Sequence, residues 1–159
     1  MSIFFISICP FPLQSGKYAL IYLKRVGLKG GSVKLDDYFE NTNGVGVLST
    51  ADDKGKVNAA VYGRPHFMDE HTVAFIASDR LTHANLKKNS SAIYLFKEDG
   101  SYKGCRLYLT KTHEEKDSPL IEKIRRKKYK GIRCKDKTES KFLIYFKVDK
   151  ILPLIGDGK

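Results

Sequence analysis

Hydrophobic and polar positions change period several times along the chain. In "VKLDDYFENTNG", Leu35, Tyr38 and Phe39 recur at helical spacing and Gly44 offers a stop, so a short helix is expected. "VGVLSTA" (Val45–Ala51) is strand-like and ends in the turn signal "DDKGK". "VNAAVYGRPHFM" (Val57–Met68) alternates only in part, and Gly63 and Pro65 predict a bend or bulge. After a second tight turn at "DEH", "TVAFIAS" (Thr72–Ser78) reads as a buried strand and "LTHANLKKN" as a helix. "SAIYLFKED" is another strand, followed by the loop "GSYKG". "CRLYLTKTHEE" (Cys105–Glu115) keeps Leu107, Leu109 and Lys111 on one parity. Asp117 and Ser118, ahead of Pro119, are placed to open a helix at "PLIEKIRRKKY". A last strand lies in "KFLIYFKVDKILPLIG".

The order is helix, three strands, helix, two strands, helix, strand. Tight turns between the first three strands argue against a doubly wound parallel sheet. Six strands with few helices suit a small, mainly β, antiparallel barrel. At 159 residues the chain has the size of one domain. Residues 1–31 read differently, as an atypical extension to a domain at 32–159. "MSIFFISICPFPLQ" is apolar but broken by Pro10 and Pro12, lacks a basic start and is too short to span a bilayer. The codons for Lys29-Gly30-Gly31 are compatible with a purine-rich ribosome-binding sequence, which puts a candidate start near Val33.

Charge sharpens the picture unevenly. The net charge is +11, but between Lys123 and Lys150 twelve cations face only Asp136, Glu139 and Asp149. The 123–141 segment is therefore a candidate surface for anions or nucleic acid, although Leu120, Ile121, Ile124 and Tyr129 read as the buried stripe of an amphipathic helix whose cations face water. Cys9, Cys105 and Cys134 show neither zinc-like nor redox-like spacing, so a reduced, cytoplasmic chain is expected. No His pair has metal spacing, neither standard Gly-rich phosphate loop is present, and no Ser, His and Asp set sits in a nucleophile context. No metal site and no catalytic residue is assigned.

Three stretches carry candidate chemistry. "ASDRLTHANLKKN" (Ala77–Asn89) places Arg80, Thr82 and His83 at a helix N-terminus, where free N–H groups and the dipole attract phosphate; Ser78 or Asp79 as a plain N-cap is the competing reading. In "NAAVYGRPHF" the small residues after Asn58 leave the strand backbone open to a flat ring, with Arg64 close by; an edge strand with Arg64 in water is the alternative. In "GSYKGCRLYL", Lys103 and Arg106 could neutralise an anion and Tyr102 could stack on a ring.

In this order, "GVGVLSTADDKGKVNAAVYGRPHFM", "TVAFIASDRLTHANLKKNSSAIYLF" and "YKGCRLYLTKT" resemble the pyridoxamine 5′-phosphate oxidase-related FMN-binding split-barrel family, over about Lys34 to Ile155. The resemblance implies a six-stranded antiparallel split β-barrel of Greek-key type that forms a homodimer with FMN between subunits. It implies that Asn58, Ala59, Ala60 and Val61 line the flavin, that Arg80, Thr82 and His83 hold the phosphate, and that Lys103, Arg106 and Tyr108 come from the partner. Many members carry a Lys at or beside Thr82; this chain has Leu81-Thr82-His83, so Arg80 or Arg64 would supply the charge. The implied function is an FMN-dependent oxidoreductase without an assigned substrate or electron donor. A non-catalytic flavin and electron carrier, a barrel for haem or a deazaflavin, and a nucleic-acid binder using 123–141 are the alternatives.

Overall fold

A computed structural model describes residues 34–125 and 139–156. The extension at 1–31, the start near Val33, Cys9, Cys134, Tyr129 and most of the basic 123–141 segment lie outside the described residues. The elements are α1 (Leu35–Asn41), β1 (Gly44–Ala51), β2 (Val57–Tyr62), β3 (His66–Phe67), β4 (Thr72–Ser78), α2 (Leu81–Lys88), β5 (Ser91–Glu98), β6 (Gly104–Lys116), α3 (Leu120–Ile124) and β7 (Lys141–Pro153). The strands form one sheet in the order β2-β1-β5-β6-β7-β4-β3, and every pairing is antiparallel. Its two edges, β2 and β3, are successive pieces of chain joined only by Gly63, Arg64 and Pro65. The sheet must therefore curl until its edges meet at that bend, which is a barrel left open along one seam.

Seven strands appear where six were expected because Val57–Met68 divides at the expected bend. Pro65 lacks an N–H for a ladder, and Arg64 leaves the strand to donate from one guanidinium nitrogen to the carbonyls of Phe39 (2.7 Å), Glu40 (2.9 Å) and Thr42 (3.3 Å). These belong to the C-terminal end of α1, whose carbonyls have no partner within the helix.

The turns form as their composition predicts. Asp52 Oδ1 accepts from the N–H groups of Lys54 and Lys56, and Gly55 takes the left-handed φ of 78°. Asp69 Oδ1 accepts from the N–H groups of His71 and Thr72, and the His71 bond is the main reason its carboxyl lies below the usual range. Asp117 behaves differently from the expected cap. Ser118 Oγ accepts the Leu120 N–H at the start of α3 at 3.4 Å; Asp117 instead pairs with Lys141, N–H to carbonyl at 2.7 Å, and accepts the Lys141 N–H on its own Oδ1 at 2.8 Å. It joins β6 to β7.

Strand alternation sorts residues into two faces. The inner face holds Leu48, Phe75, Tyr94, Phe96, Leu107 and Phe146 together with Tyr38 and Phe39 of α1. Phe39 packs edge-on against Phe96, with ring centres 5.0 Å apart. Gly46 is required here: a Cβ would collide with the Tyr94 ring and hydroxyl, which crosses β1 to donate to the Gly63 carbonyl at 3.0 Å. A second, smaller cluster lies on the other face, where Ile121 of α3 covers Ala74, Leu143 and Tyr145.

Candidate functional site

Helix α2 is unusual because its buried face is mostly polar. Thr82, His83 and Asn85 are buried beside Leu86, and each polar group has a partner, as burial requires. Asn85 Nδ2 donates to Thr50 Oγ1 of β1 at 3.1 Å. Asn58 Nδ2 of β2 donates to Thr82 Oγ1 at 3.2 Å. That bond joins two stretches singled out separately in the sequence, the edge strand and the α2 junction.

The N-terminus of α2 is not closed by a side chain. Arg80 occupies the N-cap position in extended conformation and makes no side-chain cap bond. The two residues expected as caps are engaged elsewhere. Ser78 Oγ accepts from Lys141 Nζ at 2.6 Å. Asp79 reaches forward to His83 Nδ1 at 2.7 Å, and that bond is the main reason its carboxyl sits below the usual range. The first-turn N–H groups are thus offered beside Thr82, Asn58 and Arg80.

Three further residues complete the cluster. Tyr62 lies on the same strand parity as Asn58; burial pushes its phenol up, while a hydrogen bond with Thr82 and the nearby Arg80 charge pull the other way. Glu139 holds Arg80 in a two-pronged ion pair at 3.0 and 3.2 Å, which keeps its carboxyl below the usual range. Lys141 Nζ lies 3.4 Å from the same carboxylate. Tyr62 was open to discovery from the Asn58, Ala60, Tyr62 alternation. Glu139 and Lys141 were not, because they arrive from the far end of the chain.

The other predicted residues divide. Ala60 shares the Asn58 parity, whereas Ala59 and Val61 are exposed on the opposite face; side chains of four consecutive strand residues cannot line one surface. Arg64 straps α1 to the β2–β3 bend. Arg106 Nε donates to the Pro153 carbonyl at 2.9 Å, and its Nη2 to the Gly156 carbonyl. Lys103 is an exposed loop residue whose backbone binds Ser101 and Glu98. His83 is fully buried, stacked on Phe142 with ring centres 3.8 Å apart, and engaged at both ring nitrogens.

The outer face of β2-β1-β5-β6 forms a second region. Cross-strand register aligns Val61, Val47, Leu95 and Arg106 in one row, and Ala59, Ser49, Ile93 and Tyr108 in the next. Val45, Val57 and Val61 are 52%, 80% and 77% exposed. A cleft of about 460 Å³ opens there, bordered by Ser49, Val57, Ile93, Tyr108 and Lys150. The buried thiol of Cys105 is pushed up to about 12 by desolvation, too high for reactivity at neutral pH. Among the described residues no cluster of His, Cys, Asp or Glu is arranged to hold a metal, and no helix is long and apolar enough to cross a membrane.

No protein-family model matches the sequence, and no curated protein does. Solved structures do. An FMN-binding protein from Syntrophomonas wolfei subsp. wolfei superimposes with TM-score 0.61 at 22% identity, covering 77% of this chain and 85% of that one. A candidate pyridoxamine 5′-phosphate oxidase from Lactobacillus delbrueckii superimposes with TM-score 0.54 at 16% identity, covering 72% and 86%. An F420 reductase gives TM-score 0.53 at 11% identity, covering 73% and 94%. The fold is that of the FMN-binding and pyridoxamine 5′-phosphate oxidase-like split barrels, as the sequence resemblance implied.

Proposed function

We propose that this chain is an FMN-binding flavoprotein, a flavin-dependent oxidoreductase that works as a homodimer. The observation that carries the reading is the Asn58–Thr82 bond beside the open first turn of α2. It gathers a hydroxyl, an amide, helix N–H groups and the Arg80 guanidinium at one point. That donor set fits a phosphate bearing roughly −1.5 to −2 charges. Lys141, 2.6 Å from Ser78, supplies a second cation to the neighbourhood that lacks a Lys at Thr82.

Edge strand β2 suits the ring. It pairs only with β1 in the sheet order, so half of its backbone N–H and C=O groups point outward, available to a planar heterocycle. Ala59 keeps that approach short. Bound FMN would supply hydride and electron transfer, for which the chain needs to bind, orient and exclude water rather than provide an acid or base. The outer face of β2-β1-β5-β6, bare among the described residues, suits a second copy, whose Arg106 and Tyr108 rows would then face β2. A reduced, cytoplasmic setting goes with the free thiol of Cys105.

The test is a visible spectrum of freshly purified protein, followed by mass spectrometry of any released ligand. Yellow protein releasing FMN supports the proposal; colourless protein that fails to bind added FMN overturns it. The likeness to an F420 reductase makes a deazaflavin the second reading, and titration with both flavins separates them. Reduction by NADH or NADPH without a turnover substrate would favour an electron carrier. Nucleic-acid binding has less support among the described residues: Arg125 pairs with Glu122 and Lys141 with Glu139.

A further inference from the structure

His83 is fully buried in the first turn of α2, and its ring faces a carboxylate at each nitrogen. Nδ1 lies 2.7 Å from Asp79, and Nε2 lies 3.2–3.3 Å from the two oxygens of Glu114 on β6. A neutral imidazole has one N–H donor and one lone pair, so it can satisfy only one carboxylate and presents its lone pair to the other. The imidazolium donates to both. We propose that His83 is held as the imidazolium between Asp79 and Glu114, and that this clamp fixes the first turn of α2, with Thr82, against β6 and β7.

The surroundings support the arrangement from every packed element. The preceding loop contributes Asp79, which also meets Lys87 of α2 at 4.0 Å and feels Lys116 of β6. From β6 come Glu114 and Lys111, 2.7 Å apart, and Lys111 Nζ also donates to the Leu86 carbonyl of α2 at 3.2 Å. β7 contributes the Phe142 ring against which the imidazole stacks. Burial pushes the Glu114 carboxyl up, but its bonds to Lys111 and His83 outweigh that and bring it below the usual range. Asp79 is lowered too, first through its bond to His83. Both carboxylates therefore stay ionised to more acid pH than in an unfolded chain. The clamp needs the charged ring and both ionised carboxylates, so it fails when pH rises far enough to deprotonate the ring or falls far enough to protonate the carboxylates.

His83 would thus be a positioning residue for the phosphate seat, and this consequence rests on the FMN reading. Free FMN gains phosphate charge as pH rises through about 6, so an unclamped cationic seat would bind it equally well or better at higher pH. The clamp predicts the opposite sign. In fluorescence-quenching titrations on the full chain, the FMN dissociation constant should rise severalfold between the pH at which ring-nitrogen NMR finds both His83 nitrogens protonated and the pH at which it finds only one. Glu114→Gln, which keeps an acceptor for Nε2–H but removes the charge, should move that loss to lower pH. His83→Gln should abolish that loss, leaving the affinity flat or rising with pH.

Ring-nitrogen NMR of His83 reads the clamp without any ligand, and protons on both nitrogens at neutral pH are expected. An unprotonated ring nitrogen there overturns the proposal whether or not FMN binds. A doubly protonated ring with FMN affinity that ignores its titration overturns the positioning role. If the protein binds no FMN, a doubly protonated ring together with faster hydrogen exchange at Thr82 on deprotonation upholds the clamp, and the FMN reading alone fails.

Discussion

The outer face of the sheet is treated in two ways. Along β4 and β7 it is covered by the chain itself: Ile121 of α3 closes over Ala74, Leu143 and Tyr145. Along β2, β1 and β5 it is left bare among the described residues, with Val57 and Val61 more than three-quarters exposed. The strand alternation is the same in both halves, so the difference lies in cover rather than in pattern. Apolar rows without cover on a folded domain mark a surface kept for a partner. The covered half sustains the monomer; the bare half is where the proposed second copy and the flavin would meet.

Charge and truncation separate those roles. Val61→Asp on the bare half should leave the fold intact, because the side chain is already in water. It should destabilise the dimer by about 3–5 kcal/mol, the cost of an unpaired charge in an apolar interface. Light scattering should show monomer, and FMN should be lost with the dimer. An unchanged mass would remove the bare face as the interface. Leu143→Ala on the covered half should do the reverse, costing about 2–5 kcal/mol of folding stability. Denaturant unfolding checks this. A cost near zero would mean that α3 covers nothing of consequence and that the two halves do not differ.

The same division explains what the sequence disclosed. Strand and helix positions were legible because periodicity is local, and the β2–β3 bend was marked by Gly63 and Pro65. Seat residues were legible only where a short stretch carries them. Asn58 and Thr82, quoted from two separate stretches, meet through a hydrogen bond, and Arg80 precedes Thr82 at the N-cap of α2. Arg64 read either as solvated or as an anion ligand; the structure gives it the carbonyls at the end of α1, a role that depends on where α1 packs. His83 looked like one more donor at a helix start, and its burial follows from Glu114 and Phe142, which approach only in the tertiary fold. Glu139, 59 positions from Arg80, left no local trace of their pairing.

A sharper contrast between scaffold and seat comes from Thr82→Asp. The Thr82 hydroxyl accepts from Asn58, and a carboxylate could keep that bond while repelling a phosphate. A hydrogen bond to a charged group is worth about 1.5–3 kcal/mol, so the FMN dissociation constant should rise roughly 10- to 100-fold, with repulsion adding to the loss. Riboflavin, which lacks the phosphate, should bind the variant and the parent alike. Equal weakening of both flavins would mean that the substitution has distorted the barrel instead.

The smallest expected effect concerns Glu139. Its carboxylate already holds Arg80 at 3.0 Å and lies 3.4 Å from Lys141, so an incoming phosphate must share these cations with it. Arg80 is 65% exposed, and a pair so open to solvent contributes at most about 1 kcal/mol. Glu139→Gln should therefore tighten FMN binding by no more than about fivefold, and the gain should shrink as salt screens the site. Riboflavin affinity should stay constant. Weaker FMN binding in this variant would show that Glu139 serves the seat by orienting Arg80 rather than by competing for it, and the Arg80–Glu139 pair would then belong with the donors instead of against them.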